Sequence, residues 1–426
     1  MGGICLNWGC IPTKALLKNA EVLRQIKQSE KYGIKVGEIS IDFKKNIKRS
    51  REVSNRLSKG IEFLIRKNKV THINGTGVLK DHNSISVNVG NKNQIIKFEK
   101  IIIATGAYPK SFPMLPFDGK LVINYKDALK LTTIPKKIII VGSGAIGCEF
   151  ASYFNEFGAS IDLIESMNSI LPNEDIEISK QVLNSFVDSG INVSTNTEVS
   201  KIEKIKNKVK VFVKNKGKQR TINGDIVLVA IGVEGNIKNI GLKDIGVKTD
   251  NGSIIINELN QTNINNIYAV GDVTGAPWLA HVASAQGTIA AEHMAGMTPN
   301  PIDYSNIPGC TYCFPEVGSI GLTEQKAIDA GYDIKVGRFF LKANGKSMAI
   351  GETNGLIKLI FDSKYGELIG AHIVGANATE LIGELGIAKS LEARWEDLAF
   401  QVHAHPTLSE AIMEASMDAF STAIHQ

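Results

Sequence analysis

Two thiols separated by four residues stand at the start of this sequence. Cys5 and Cys10 flank Leu-Asn-Trp-Gly, and Ile-Pro-Thr-Lys14 leads on into a helical pattern of apolar residues. Gly9 permits the tight backbone path that a small disulfide loop requires, and a helix N-terminus stabilises a thiolate at Cys10. A short, exchangeable disulfide is the expected product. Lys14 lies one helical turn beyond Cys10 on the same face, where its ammonium favours that thiolate or an adjacent electron-rich ring. The plainer alternative is two unrelated buried cysteines.

A second constellation is Gly142-Ser-Gly144-Ala145-Ile146-Gly147, set between an apolar strand pattern and a helical one, with Glu165 ending the following strand. In that context the glycines serve a tight turn and close phosphate approach, and the helix start receives a pyrophosphate. Glu165 would accept both ribose hydroxyls, and Ser166-Met167-Asn168 brings no arginine for a 2′-phosphate, so NAD is expected over NADP. Otherwise Glu165 is a strand-end surface carboxylate. Gly271-Asp272 also ends a strand with a carboxylate, which suits a hydroxyl-rich ligand or a simple turn. In His403-Ala-His405-Pro-Thr407-Leu-Ser-Glu410, Thr407 and Glu410 form a capping box for the next helix. His405 has no such structural task and reads as a solvent-facing general base oriented by the nearby carboxylate, with His403 in support. Cys310-Thr-Tyr-Cys313 lacks the second pair that a zinc site needs, and Cys148 reads as a small buried residue, so these thiols are expected to be structural and no metal site is expected.

These residues need elements to hold them. Apolar spacing predicts helices over 12–32 and up to about 68, then short strands at 70–74, 84–89, 95–98 and 101–104. Pro109, Pro113 and Pro116 mark a linker. A βαβ unit follows over 138–165, short strands over 193–199, 208–213 and 225–231, and a strand at 267–270 before a helix over 279–295. The remainder alternates strands and helices as an α+β module.

The 426 residues, 43% hydrophobic and 21% charged, support two to four domains. No apolar run approaches the roughly 20 residues of a membrane span. The net charge of +5 reads as spread along the chain, which gives nucleic-acid or lipid binding little support. Five cysteines cannot form a disulfide scaffold and suggest a reducing compartment; no targeting signal is recognised.

Residues Gly2 to Lys14 closely resemble the redox-active segment of the flavin disulfide oxidoreductases, in the branch that oxidises dihydrolipoyl groups, and the similarity continues through the chain. The resemblance implies an α/β fold of two Rossmann-like domains, for FAD and NAD, followed by a C-terminal α+β dimerisation domain. Its implied division is 1–113 (FAD), 114–240 (NAD), 241–305 (a returning FAD-side segment) and 306–426 (dimer interface). It casts Cys10 as the flavin-contacting sulfur and Cys5 as the one that exchanges with substrate. Lys14 falls beside the flavin N5, with Glu149 as its partner. Gly77, Asp272, Ala280 and His281 match FAD contacts; Gly142, Gly144, Ala145, Ile146, Gly147, Glu165, Val199 and Gly232 match NAD contacts. His405 and Glu410 match a base and its partner that reach across a two-fold axis into the other subunit of a homodimer.

The implied partner is the lipoyl domain of a 2-oxo acid dehydrogenase acyltransferase or the glycine-cleavage H protein, in a bacterial cytoplasm or a mitochondrial matrix. Other branches fit less well: glutathione reductase calls for arginines near Glu165, and mercuric reductase for a cysteine pair beyond Cys313. Two departures stand out. Val233-Glu-Gly-Asn236 replaces an arginine and a proline, and the strand, glycine-rich turn and helix that hold the ADP half of FAD do not precede Gly2. The second departure supports a rival expectation, an FAD-deficient, non-catalytic fragment that serves dimerisation or complex binding.

Overall fold

The computed structural model describes residues 1–111 and 116–425, so Pro113 and the expected 113/114 boundary lie outside the described residues. The chain divides into two units, each discontinuous in sequence.

The first unit gathers residues 1–12, 51–110 and 232–303. It opens with a short helix α1 (Gly3–Trp8). An antiparallel sheet of Thr76–Asp81, Ser84–Val89 and Lys92–Lys97 is followed by a parallel pair, Ile101–Ile103 with Ile267–Ala269. Leu79, Ile103, Leu242, Ile245, Ile254 and Ile267 close over one another as its core. Helix Ala280–Met294 completes the unit. The expected strand over 70–74 is absent: Lys69 turns the chain with φ 55°, and pairing begins only at Thr76.

The second unit gathers residues 13–50, 111–231 and 304–426. Its five-stranded parallel sheet runs, in spatial order, Val122–Ile123, Ile226–Val229, Lys137–Val141, Ser160–Ile164 and Asn192–Ser194. The three central strands carry almost unbroken Ile, Val and Leu because both faces are covered. An antiparallel meander, Thr197–Ile205, Lys208–Asn215 and Lys218–Gly224, packs against one face. The single strand expected over 193–199 is thus two, broken at Asn196, whose φ is 49°. A second sheet of five antiparallel strands, from Gly309–Thr311 to Leu368–Gly375, is covered by helices Ala378–Ser390 and Glu410–Ala419. This α+β layer and the parallel sheet match the fold class expected for this part of the chain.

Two long helices join the units through their covalent course: α2 (Cys10–Lys27) and α3 (Phe43–Lys67). α3 begins sixteen residues before the 59–68 stretch that apolar spacing identifies, because its N-terminal half is dominated by lysine and arginine rather than by a clear apolar period.

One buried cation organises the second unit. Lys358 is fully buried, and its Nζ lies 2.8 Å from Asp175, 2.7 Å from Glu177 and 2.6 Å from Glu324. Arg338 adds a forked contact to Glu177. Removing the lysine would strand the buried Asp175 without a counter-charge, a loss on the order of 3–5 kcal/mol. Lys358→Ala is therefore expected to lower the denaturant midpoint sharply. The Arg338 and Lys358 contacts also hold Glu177 at about 2, below its usual range. Its stabilising contribution is complete above about pH 4.5 and is lost as pH falls toward 2. Acid unfolding followed by circular dichroism in wild type and Glu177→Gln checks that sign: the variant should lose less stability across this window.

Candidate active site

The cysteine segment is built from two helices with a break between them. α1 carries Cys5; Gly9, at φ −132° and ψ −112°, interrupts the helix; Cys10 then opens α2. A Cβ at Gly9 would stand 3.1 Å from the Ile4 side chain, so glycine suits the close turn. Arg51 from α3 lies over the Trp8 ring, 4.8 Å from its centroid, and donates to the Asn7 carbonyl at 2.5 Å. Ser58 donates to the Met1 carbonyl and to Asn7 Oδ1. The residues between the two sulfurs are held by packing as well as by backbone geometry. Both cysteines are half-buried.

One turn into α2, Lys14 Nζ meets both oxygens of Glu149, at 2.7 and 2.9 Å, and lies 4.3 Å from the centroid of the Tyr312 ring. Glu149 is buried in helix Ala145–Glu156 and also accepts the Tyr312 N–H at 3.1 Å. Sequence spacing alone could not pair residues 14 and 149, and it missed Tyr312 altogether.

The glycine-rich turn has the stereochemistry its sequence suggests. Gly142 has φ 98°, and a Cβ there would fall 2.4 Å from the Ala230 carbonyl. At Gly147 a Cβ would fall 1.9 Å from the Gly142 carbonyl, whereas Gly144, the N-cap, faces open space. The first-turn amides of Ala145 and Ile146 therefore sit beside a backbone with no side chain in the way of an anion. Glu165 is buried and fully engaged. Oε2 accepts the Ser143 N–H and hydroxyl, both at 2.9 Å; Oε1 accepts the Met167 N–H at 2.8 Å and the Ser166 hydroxyl at 3.1 Å. Burial pushes its pKa up, but these hydrogen bonds outweigh burial and hold the carboxyl below its usual range. Two of the four partners are rotatable hydroxyls, which a pair of ribose hydroxyls can replace without moving the backbone. Arg220 donates to Ser194 Oγ, and the Ser194 carbonyl accepts the Glu165 N–H. This cation near the strand end is 55 residues away in sequence and was not foreseen. Val199 sits at a bulge in its strand, and Gly232, at φ 108°, accepts the Lys110 N–H.

In the first unit, Gly77 lies in strand Thr76–Asp81, where a Cβ would press on Ile85. Asp272 follows strand Ile267–Ala269 in a 3₁₀ turn fixed by the Gly271 N–H bonding to Gln286 Oε1 at 2.6 Å. Its half-buried carboxylate has no hydrogen-bond donor among the described residues, and burial raises its pKa. That is the environment a ligand hydroxyl would relieve. Ala280 and His281 start helix Ala280–Met294, whose N-cap, Leu279, offers no side-chain acceptor.

His405 is 78% exposed at its side chain, with Nδ1 2.9 Å from Glu410 Oε1, which leaves Nε2 facing solvent. Glu410 also accepts the Thr407 N–H through Oε2 at 2.8 Å. The expected capping box is only half formed: the helix starts at Glu410, and the Thr407 hydroxyl donates to the Ala404 carbonyl instead. His403 Nε2 lies 2.8 Å from Glu384 Oε1 and Nδ1 lies 3.0 Å from the Gln401 carbonyl.

Comparison with known proteins matches residues 1–287 to the pyridine nucleotide-disulphide oxidoreductase model and residues 307–416 to that family's dimerisation domain. The chain belongs to this family. Proteins named dihydrolipoyl dehydrogenase from Rhizobium etli and Zymomonas mobilis are each 44% identical to it, over 100% of this chain and 92% of theirs. The Bacillus subtilis protein of the same name is 39% identical over the same shares. The crystal structure of LpdA from Mycobacterium tuberculosis, 24% identical, superposes with a TM-score of 0.90 over 98% of this chain and 91% of that one. The HOCl-induced flavoprotein disulfide reductase RclA from Escherichia coli is 27% identical, with a TM-score of 0.86 over 97% and 91%. The family match explains the joint presence of a paired-cysteine segment and a nucleotide turn, and the dimerisation domain supports a homodimer.

The other three thiols belong to the second unit. Cys148 and Cys313 are buried, with their sulfurs on the Ser143 and Pro315 carbonyls, and burial raises both well above the usual thiol range. Burial pushes the Cys310 thiol to about 11. No group of three or more potential metal ligands occurs among the described residues. The residues present fit both nucleotides, on the evidence of the unpartnered Asp272 carboxylate and the open backbone at Gly144. Replacing Glu165 by alanine removes a charged acceptor, worth about 1.5–3 kcal/mol in hydrogen bonds. Glu165→Ala should therefore weaken NADH binding by roughly ten- to a hundredfold, read by fluorescence titration, with a retained circular-dichroism spectrum at the assay temperature as the control for folding.

Proposed function

We propose that this chain is a dihydrolipoyl dehydrogenase, oxidising protein-bound dihydrolipoyl groups with NAD⁺ as acceptor. The observation that carries the reading is an exposed histidine, backed by a carboxylate, in a chain that also holds a cysteine pair at a helix start. A thiol substrate needs a base to release its proton and a disulfide to receive its electrons.

The residues divide the work as follows. His405 Nε2 takes a proton from one substrate thiol, and Glu410 fixes the ring and balances the imidazolium that forms. The substrate thiolate attacks Cys5 Sγ, the Cys5–Cys10 bond breaks, and Cys10 leaves as a thiolate stabilised by the start of α2. The second substrate thiol gives its proton to the departing Cys5 sulfur as it displaces it from the mixed disulfide, closing the lipoyl ring and leaving Cys5 as a thiol beside the Cys10 thiolate. The substrate has lost two electrons, which remain on Cys5 and Cys10. Bound FAD supplies the two-electron relay by which NAD⁺ becomes NADH and the disulfide is restored. Lys14, held by Glu149, would offer a fixed positive charge to the electron-rich flavin ring. Asp272, Gly77 and the Ala280–His281 helix start would hold the FAD, and Gly142 to Gly147, Glu165, Val199 and Gly232 would hold the nicotinamide nucleotide.

The reading places His405 and Glu410 at the redox pair of a second copy, so the homodimer is the working unit. It also gives the chain a lipoyl domain, or the glycine-cleavage H protein, as partner in a reducing compartment. The domain division 1–113, 114–240, 241–305 and 306–426 follows from the same family reading.

The purified chain should be yellow and should reduce NAD⁺ with dihydrolipoamide. A colourless protein, or one that turns over glutathione disulfide with NADPH in its place, would overturn the assignment. His405→Gln should lower kcat for dihydrolipoamide by roughly 10²–10⁴-fold. A diaphorase assay with NADH and a dye bypasses substrate-thiol deprotonation and should be far less affected.

A further inference from the structure

The +5 net charge of the chain is not spread evenly. α3 carries nine lysines and arginines against two glutamates, a net of +7, so all the other residues together are net −2. The charges also share one side of the helix. With 3.6 residues per turn, Lys44, Lys45, Lys48, Arg56, Lys59 and Arg66 fall on a single outward stripe, interrupted by Glu52 and Glu62, and all six are exposed. Lys45, Arg56 and Lys59 form no side-chain ion pair among the described residues. The other side is buried through Phe43, Ile47, Ser50 and Ser54. At its edge, Arg51 and Ser58 hold the segment that carries Cys5. A positively charged ridge thus runs beside the redox segment.

We propose that this stripe is a docking surface for an acidic protein domain that delivers the dithiol substrate. The proposal rests on the dihydrolipoyl reading. A dithiol carried on a protein arm needs its carrier held near the acceptor disulfide, and a one-signed ridge on an otherwise slightly acidic chain both steers and orients an acidic carrier. Anionic lipid and nucleic acid would also be attracted, but neither brings a dithiol to Cys5, so the position of the ridge favours a protein.

The test compares a lipoyl domain of net negative charge, reduced to the dithiol, with free dihydrolipoamide, a neutral substrate with the same reacting group. In the triple variant Lys45→Glu, Arg56→Glu, Lys59→Glu, kcat/KM for the domain should fall about tenfold or more at low ionic strength. The deficit should shrink as salt is raised. Free dihydrolipoamide should be turned over within about twofold of wild type, since none of the three residues touches the redox pair. The corresponding glutamine variant should lie between.

Binding of the isotope-labelled lipoyl domain, followed by chemical-shift titration, reads the surface without turnover. Wild-type chain that binds the domain through the stripe yet oxidises neither substrate would support the docking surface while defeating the activity. Turnover of both substrates with no effect of charge reversal on domain binding or kcat/KM would overturn the docking surface and leave the activity standing. Equal losses for both substrates would likewise overturn it, as would stripe-dependent binding to phosphatidylglycerol vesicles with no effect on the domain.

Discussion

A lysine and a buried glutamate set the geometry of the second unit's reactive side. Lys14 sits one turn from the start of α2 and Glu149 one turn from the start of the nucleotide helix, and their 2.7 Å contact ties the second unit's part of α2 to that helix. The carboxylate is nearly inaccessible, and the ammonium and the Tyr312 N–H are the partners that satisfy it. The same contact settles the lysine. Its position over the Tyr312 ring leaves the ammonium with defined neighbours on two sides instead of a mobile tether. The pair thus puts a positive charge at a fixed place in the second unit without using flexible surface lysines.

Much of this was legible in the sequence because it is local. Cys5, Gly9 and Cys10 lie within one turn and a break; Gly142 is required by its backbone conformation and Gly147 by a contact five residues away; His405 and Glu410 are joined through a short loop. Strand patterns of isoleucine and valine announced the parallel sheet for the same reason. What was not legible is what the fold brings together from a distance. Nothing near Lys358 in sequence signals that Asp175, Glu177 and Glu324 surround it, and Arg220 reaches the Glu165 neighbourhood only through Ser194. The half-formed capping box has a related cause. Glu410 had one adequate local explanation, but its two oxygens serve two partners, and the motif predicts only one of them.

Charge shows the opposite failing. The lysines and arginines of α3 are contiguous enough to be counted by eye, yet they escape notice when charge is summed over the whole chain, because the remaining residues nearly cancel it. Only when the segment is known to be one helix does the spacing of those residues become a direction in space. The fold thus turns a weak compositional statistic into a surface with a sign and an orientation.

Five thiols in one oxidoreductase raise the question of where electrons can go. Thiolate, not thiol, is the exchanging species, and burial keeps Cys148 and Cys313 protonated across the neutral range, with Cys310 close behind. Such groups neither attack a disulfide nor accept oxidants readily, so they stay outside the exchange network even when the redox pair is fully reduced. The interior of the protein thereby acts as insulation around these sulfurs, most completely around Cys148 and Cys313.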